Sequence, residues 1–311
     1  MKVMTAEKEA GSVSLPPQFS EPVRNDLIQR AVLALQSKKR QPYGSYGNAG
    51  LRHSTRISKR RSDYRTSYGK GISRVPRKIL TRRGTQMYWV GAEAPGTVGG
   101  RRAHPPKPYK NWEQKINQKE NRKAIRSAMA ATVDKELVVA RGHKIPENFP
   151  FALDNSFEKI AKTNELTKAL EQLGFAAELL RGANRKIRAG KGTMRNRKYK
   201  QAKTFLFVVS SREAALMQAA MNVPGADVVS VEALNAELLA PGTHPGRLTL
   251  YTQAALDRVE KEKLFTQNYK GPSPEKKVRV TKVAVKKVEN APATKKPKET
   301  PQKTTKVEVA Q

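Results

Sequence analysis

A basic segment over residues 38–110 limits what this chain can fold into. It holds 19 basic and 2 acidic side chains, a net charge of +17, and it is rich in glycine, proline and tyrosine. Its few large apolar residues follow no regular period, so the segment cannot build a core of its own. Ordering its 73 residues would cost on the order of 100 kcal/mol of backbone entropy. We therefore predict a long irregular loop that is disordered alone or is ordered by a partner.

Two further segments carry the rest of the positive charge. Residues 181–203 hold ten basic and no acidic side chains, residues 270–311 hold 12 basic and 4 acidic, and the whole chain has a net charge of +34. A charge that served only solubility would be spread along the chain, so this distribution indicates a polyanionic partner. Residues 266–311 are rich in lysine, proline and threonine, which predicts a flexible basic tail.

A membrane-surface protein is the competing class for a chain this basic. Such a protein would need an amphipathic helix or a lipidation motif, and a spanning protein would need an apolar run of about 18 residues. The sequence offers none of these, and residues 1–17 lack the layout of a secretory signal. Cysteine is absent, so no disulfide framework is expected. We expect a cytoplasmic protein without a membrane partner.

Outside the basic segments the chain is nearly neutral and periodic. The pattern predicts helices at 23–35, 113–133 and 166–173, a buried strand at 137–140, and strands at 204–209, 228–231 and 248–251 that alternate with helices at 211–220, 232–239 and 253–265. Ser210 and Ser211 are expected to cap the first of these alternating helices. The predicted fold class is α/β, with a mostly parallel sheet flanked by helices in Rossmann-like layers. Separate helical and β domains are the alternative.

The composition of the long segment indicates which partner would order it. Arginine and lysine neutralise phosphates and release counterions, and tyrosine rings offer flat faces for unstacked bases. The alternative is a disordered basic linker, but linkers are poor in aromatic residues. The candidates for base stacking are Tyr43, Tyr46, Tyr64 and Tyr68.

A second basic stretch, residues 185–198, directly precedes the strand predicted at 204–209 and should therefore lie at one end of the sheet. Gly190 and Gly192 permit a tight turn that could present backbone N–H groups to phosphate. A solvated charged loop is the alternative, although it would be unusual with ten cations nearby and no anion. We predict that this loop contacts RNA.

Catalysis finds little support in the sequence. No phosphate-binding loop of the GxxxxGK[ST] type is present, and no GxGxxG follows a strand. The histidines stand singly, without the spacing of metal ligands, at His53, His104, His143 and His244. We predict no catalytic residue, no metal site, no cofactor and no small-molecule substrate. The alternatives are an RNA-modifying enzyme with a Rossmann-like domain and a chromatin-type binder of duplex DNA.

Four separated motifs resemble one known family in order. Residues 185–199 resemble the signature of the large-subunit ribosomal protein L-four, in its archaeal and eukaryotic branch. Residues 21–32 resemble the family's first helix, and residues 121–128 resemble the helix that follows its loop. The two arms of that loop are similar to Ser73-Arg74-Val75-Pro76-Arg77 and Gly100-Arg101-Arg102-Ala103-His104-Pro105-Pro106. The resemblance covers roughly residues 20–265.

This resemblance implies an α/β domain over 1–42 and 111–265, with a loop over 43–110 that threads the ribosomal RNA (rRNA) and lines the polypeptide exit tunnel. It implies a structural, non-catalytic role that begins early in assembly of the large subunit, in the cytoplasm. The implied partners are large-subunit rRNA, neighbouring ribosomal proteins and the nascent polypeptide. Any structural magnesium would belong to the rRNA.

The candidate residues fall into three groups. The arms of the long loop contribute Arg52, Arg56, Lys59, Arg60, Arg61, Arg65, Lys70, Arg74, Arg77, Lys78, Arg101, Arg102 and Lys107 as rRNA ligands. The second basic loop contributes Arg185, Lys186, Arg188, Lys191, Arg195, Arg197 and Lys198. The tip of the long loop is less basic, and its candidates for facing the tunnel are Arg82, Arg83, Met87, Tyr88 and Trp89.

Overall fold

The computed structural model describes residues 1–6, 8–267 and 269. The α-helices are α1 Asn25–Lys39, α2 Gln118–Val133, α3 Lys135–Ala140, α4 Thr163–Gln172, α5 Ala176–Ala183, α6 Leu216–Met221, α7 Ala236–Leu239 and α8 Gln253–Lys261. Short 3₁₀ helices span Pro17–Ser20, Asn155–Lys159, Val231–Ala233 and Pro241–Thr243. The basic tail predicted from residue 266 lies, from residue 270 onward, outside the described residues.

The strands of the described residues are short and belong to four small sheets. They are β1 Lys2–Met4, β2 Glu9–Ser12, β3 Thr55–Arg56, β4 Arg77–Arg83, β5 Gln86–Gly91, β6 Phe151–Leu153, β7 Lys186–Ile187, β8 Tyr199–Lys200, β9 Leu206–Val209, β10 Asp227–Ser230 and β11 Thr249–Tyr251. Their orders are β2-β1-β6, β3-β4-β5, β7-β8 and β10-β9-β11.

The sheet β10-β9-β11 is parallel throughout and has a hydrophobic core on each face. Leu206 and Val208 of β9 face a core that includes residues of α1, α2, α7 and α8. Phe205, Phe207 and Val209 alternate with them and face a second core with α3, α4 and α6. Burial on both faces explains why this strand is a continuous apolar run rather than an alternating one.

A second sheet extends the α/β layer. β1 pairs in parallel with β6 and antiparallel with β2, and a single parallel bridge between Leu153 and Thr252 links β6 to the residue after β11. The prediction of an α/β fold is therefore confirmed. The sheets are small and mixed, however, and the predicted Rossmann-like parallel sheet is not confirmed.

The long basic segment is not irregular at its tip. β4 and β5 form an antiparallel hairpin in which Arg83 pairs with Gln86, and β3 adds a third strand. The two-residue turn places Gly84 at φ 56°, a left-handed value that primed hairpin turns require. The register shifts between Ile79 and Thr81, so an extra residue interrupts the alternation that marks a strand. That bulge hid the hairpin from the sequence pattern.

Two local predictions in the globular part were wrong. Residues 137–140 are the end of α3 rather than a strand, because the Asp134 carboxylate accepts a hydrogen bond from Glu136 N at 3.0 Å and caps this helix. Ser210 caps no helix, since its N–H and hydroxyl both donate to the Glu158 carboxylate, at 2.8 and 2.7 Å. α6 accordingly begins only at Leu216.

A fully buried arginine holds the starting ends of the three parallel strands. Arg247 donates to the carbonyl oxygens of Thr204 and Phe205 before β9, at 3.2 and 3.0 Å, and to the Asp227 carboxylate at the start of β10, at 2.6 Å. It also donates to Leu238 O at 2.9 Å. The chain enters β9 from the second basic loop, so this arginine also fixes where that loop leaves the domain.

We predict that Arg247→Met lowers the free energy of unfolding by about 3 kcal/mol, because it leaves buried carbonyl groups without their donor and the Asp227 carboxylate with Lys203 as its remaining partner. Denaturant unfolding of the full chain would measure the loss. Lys39→Met is the matched control, since it breaks an exposed ion pair with Glu237 and should cost less than about 1 kcal/mol. Equal losses in the two variants would contradict the anchoring role of Arg247.

Candidate nucleic-acid interface

The two legs of the long loop lie against each other where they leave the domain. Ser45 N donates to Pro106 O at 3.0 Å. A Cβ atom on Gly44 would lie 2.3 Å from Pro108 Cδ, and one on Gly50 would lie 2.5 Å from Arg101 N. Only glycine permits these approaches. The start of the loop is therefore ordered by its own backbone, and we call residues 43–52 and 100–112 the neck.

The neck is closed by an aromatic stack. The rings of Tyr43 and Trp112 lie 5.1 Å apart at an interplanar angle of 17°, and the Arg40 guanidinium lies 4.1 Å from the Trp112 ring centroid. Tyr43, predicted as a base-stacking residue, thus has one face covered by the protein. Trp112 was not among the predicted site residues, although an aromatic residue two positions after the end of the basic segment at Lys110 could have indicated it.

The cations of the loop arms are largely without counter-charges. Ten of the thirteen are exposed, and Arg65, Arg77 and Lys78 are half-buried. Among the described residues, only Arg56 of this group forms an ion pair, with Asp63 at 3.3 Å. The loop therefore presents positive charge that the described part of the chain does not compensate.

Three of the four predicted stacking tyrosines have an arm guanidinium near the ring. Arg52 lies 4.2 Å from the centroid of Tyr46, Arg74 lies 4.5 Å from that of Tyr68, and Arg65 lies 5.1 Å from that of Tyr64. Cation–π contacts of this kind orient the rings and leave a cation beside each aromatic face. Paired aromatic and cationic groups suit an unstacked base with its adjoining phosphate.

The five tip candidates differ in exposure. Arg82, Arg83 and Tyr88 are exposed on the β4–β5 hairpin, whereas Met87 and Trp89 are half-buried. The Trp89 ring centroid lies 5.7 Å from Lys70 Nζ and 5.6 Å from the Arg77 guanidinium. Trp89 therefore fastens the hairpin to the arms, and the three exposed residues are the groups available to meet a partner.

The second basic loop is a hairpin whose two strands are β7 and β8. The Arg188 side chain turns inward, since its Nε donates to Arg197 O at 2.9 Å, and its backbone N–H donates to Lys198 O at 2.8 Å. The other six candidates of this loop are exposed. The N–H groups of Thr193, Arg195 and Arg197 donate within the loop, so these groups are not available to phosphate. Contact with a polyanion falls to the exposed side chains.

A buried ion cluster lies at the foot of this loop and was not predicted. The Glu178 carboxylate, fully buried, accepts from Arg181 Nε and Nη2 at 2.8 and 2.6 Å and from Lys144 N at 3.0 Å, and it lies 2.7 Å from His143 Nδ1. Burial opposes its charge, but these hydrogen bonds outweigh burial and lower the Glu178 pKa. Burial lowers the His143 pKa, so the ring is neutral near pH 7. Sequence alone could not place these residues together.

Metal ligands do not cluster in the described part of the chain. Within it, no group of three or more histidine, aspartate and glutamate side chains is placed to hold a metal ion. Over the same residues, no helix has the length and apolar composition needed to cross a membrane.

Comparison with known proteins assigns the family. The model of the ribosomal protein L4/L1 family matches residues 13–262. The chain belongs to this family. It is 49% identical over 257 residues to the large ribosomal subunit protein uL4 of Nanoarchaeum equitans, covering 83% of this chain and 96% of that protein. It is 45% and 44% identical to the proteins of the same name from Methanococcoides burtonii and Archaeoglobus fulgidus, covering 80% and 79% of this chain and 93% and 91% of those proteins.

Family membership confirms the resemblance carried by the four motifs. The structure places the arm motif of residues 100–106 in the neck, against residues 43–52. The signature, residues 185–199, forms the hairpin that precedes β9 at the end of the parallel sheet where its strands begin. It does not bring the two basic loops into one described pocket. The individual rRNA ligands therefore remain predictions.

The Glu178 cluster generates a prediction about pH. Both Glu178 and His143 have lowered pKa values in the folded state, so the unfolded chain binds more protons and stability falls as pH falls. The loss should begin below about pH 6.5 through His143 and continue below about pH 4.5 through Glu178. Glu178→Gln should cost about 3 kcal/mol at pH 7, because a buried pair loses one partner, and should remove the part of the loss below about pH 4.5. The part due to His143 should remain, because Glu178 raises the His143 pKa and burial still lowers it when Glu178 is absent.

Denaturant unfolding between pH 7 and pH 3.5 would measure both effects. Glu165→Gln is the control, since Glu165 is exposed and only forms a 3.5 Å ion pair with Lys162. An unchanged pH profile in Glu178→Gln would show that the cluster does not govern stability.

Proposed function

We propose that this chain is a structural constituent of the large ribosomal subunit, in the cytoplasmic ribosome, and that it binds and organises large-subunit rRNA early in assembly. The observation that carries the proposal is the set of uncompensated cations on the two basic loops: 16 of the 20 predicted ligands are exposed and one forms an ion pair among the described residues. Relatives with 44–49% identity bear the name of a large-subunit ribosomal protein, which supports the same conclusion.

We further propose that residues 1–42 and 111–265 act as one globular anchor from which the loop 43–110 extends into the rRNA. The small sheets would then serve as one helix-covered layer across the Leu153–Thr252 bridge. The glycine contacts of the neck support this division, because they set the direction in which the loop leaves before RNA binds. The lysine-rich residues 266–311 would add cationic contacts.

Within the loop, we assign different tasks to the arms and the tip. The arm cations bind phosphates, and Tyr46, Tyr64 and Tyr68 stack on unpaired bases beside their guanidinium groups. The tip hairpin lines the exit tunnel and meets the nascent polypeptide through Tyr88 and its exposed arginine neighbours. Neighbouring ribosomal proteins complete the set of partners.

The alternative of an RNA-modifying enzyme finds no support in the family to which the chain belongs. The proposed role needs no cofactor, since neutralising phosphates and stacking bases require only side chains already present. Structural magnesium would belong to the rRNA.

The salt dependence of rRNA binding tests the role of the arms. Changing Lys59, Arg60, Arg61 and Arg102 to glutamine should reduce the slope of log affinity against log salt by about 3, because each phosphate that a cation neutralises contributes roughly 0.7–0.9 to that slope. Filter binding of the full chain to a large-subunit rRNA fragment would measure it. The matched control changes four lysines of the globular part to glutamine: Lys159, Lys162, Lys168 and Lys261.

The control should leave the slope close to that of the unmodified chain. Equal reductions in both variants would mean that total charge, and not the loop, drives binding. A flat salt response of the unmodified chain would refute rRNA phosphate binding altogether.

Photo-crosslinking tests the role of the tip. Tyr88 and Tyr46 are similarly exposed, at 55% and 59%, so a photo-reactive phenylalanine analogue can replace either one in assembled subunits. In ribosomes stalled during translation, we expect the probe at Tyr88 to crosslink the nascent polypeptide and the probe at Tyr46 to crosslink rRNA. A probe at Tyr88 that captured only rRNA would contradict the tunnel assignment.

A further inference from the structure

A cavity of about 630 Å³ lies at the foot of the second basic loop and is lined by cationic and imidazole side chains. Its walls include Arg141, which follows α3, Arg181 from α5 and Lys203, which precedes β9. Asn25, His143 and His244 complete the polar lining, and the other lining residues are apolar. Lys203 lies three residues after the end of β8, so the cavity continues the surface of the second basic loop into the globular part.

Arg141 is a half-buried cation whose hydrogen-bond partners are neutral. Its Nη1 donates to His244 O and its Nη2 to Pro241 O, the latter at 2.6 Å. No carboxylate lies within ion-pair distance of Arg141 among the described residues. Burial, together with the nearby positive charges of Arg247 and Arg181, lowers the Arg141 pKa to about 10. A buried charge in this situation lacks its counter-ion.

The two carboxylates nearby do not compensate Arg141, because each already forms ion pairs with other cations. Glu178 pairs with Arg181 at 2.6 Å, and Asp227 pairs with Arg247 at 2.6 Å and with Lys203 at 2.9 Å. Four cations therefore share two carboxylates. His143 is neutral near pH 7, so the cluster around the cavity carries an excess of two positive charges.

We propose that this cavity binds a phosphate group and that Arg141 is its principal ligand. The inference rests on the proposed function, since the phosphate expected there belongs to the backbone of the RNA that follows the second basic loop. A phosphate supplies the missing counter-charge, and its oxygens accept the charge-assisted hydrogen bonds that a guanidinium donates. Lys203 also lines the cavity, and its side chain is 54% exposed although it pairs with Asp227, so it can reach a phosphate bound there.

A purely structural role for Arg141 makes a different prediction. If Arg141 only linked the end of α3 to residues 241–244 through hydrogen bonds, its removal would lower stability but would not change the number of phosphates bound. Arg122 provides the comparison, because it also is half-buried and donates to two backbone carbonyls, Thr266 O and Gln267 O at 3.1 and 3.4 Å. It lines none of the described cavities.

The test compares Arg141→Gln with Arg122→Gln in the full chain, by binding to a large-subunit rRNA fragment over a range of salt. We expect Arg141→Gln to weaken binding about tenfold and to reduce the slope of log affinity against log salt by about 1, as the removal of one phosphate ligand requires. Arg122→Gln should leave the slope unchanged. An unchanged slope in Arg141→Gln would overturn the assignment of an RNA phosphate to this cavity while leaving the proposed function intact.

A second experiment distinguishes binding of an RNA phosphate from binding of free phosphate. Inorganic phosphate at constant ionic strength is titrated against the thermal unfolding of both variants and of the unmodified chain. Stabilisation that is absent only in Arg141→Gln supports a site that also takes the free ion, whereas a changed RNA slope without such stabilisation supports a site specific to the RNA backbone. If neither the slope nor the stabilisation depends on Arg141, the site does not exist.

Should Arg141→Gln fail to fold, Lys203→Gln takes its place. It should reduce the RNA slope by about 1, and Lys162→Gln, which removes an exposed lysine paired with Glu165, should not. Equal slopes in these two variants would likewise overturn the phosphate site.

Discussion

Burial of β9 on both faces is the constraint on which the rest of the molecule depends. Leu206 and Val208 contact one core while Phe205 and Phe207 contact the other, so helices must cover both sides of the sheet. This arrangement removes apolar surface from water within the nearly neutral part of the chain. The residues that stabilise the fold are therefore different from those that carry the net charge, and the basic segments need not contribute to a core. Arg247 then joins the two parts, because it fixes the edge from which the second basic loop emerges.

Local structure within the long loop reduces the backbone entropy that is lost when a partner orders it. Its neck is ordered by glycine contacts and by the Tyr43–Trp112 stack, and its tip by the β4–β5 hairpin. Each local structure restricts backbone freedom before a partner arrives, which lowers the cost that binding must offset. Cations over aromatic rings extend the same effect to the side chains. The arms are thus held near a bound arrangement while their positive charges stay exposed.

The sequence predicted what depends on composition and long periodicity. It located β9 from an apolar run and the two basic loops from their charge. It missed α3, because one capping carboxylate, Asp134, outweighed an apolar run that resembles a strand. It also missed the hairpin, because a bulge near Leu80 broke the alternation. The inward turn of Arg188 and the clustering around Glu178 depend on tertiary packing, which no single-sequence pattern encodes.

The pairing of cations separates structural from binding roles. Inside the globular part, Arg181 and Arg247 each pair with a carboxylate at 2.6 Å, and removing that carboxylate would leave the arginine uncompensated. On the described loop arms, all predicted cations but Arg56 lack such a partner, so a polyanion lowers their energy without breaking an existing pair. Arg141 belongs with the second group by this criterion, although it lies in the globular part, because among the residues that the structure describes only backbone carbonyls accept its hydrogen bonds. The criterion therefore extends the candidate RNA surface from the loops to the cavity beneath the second one.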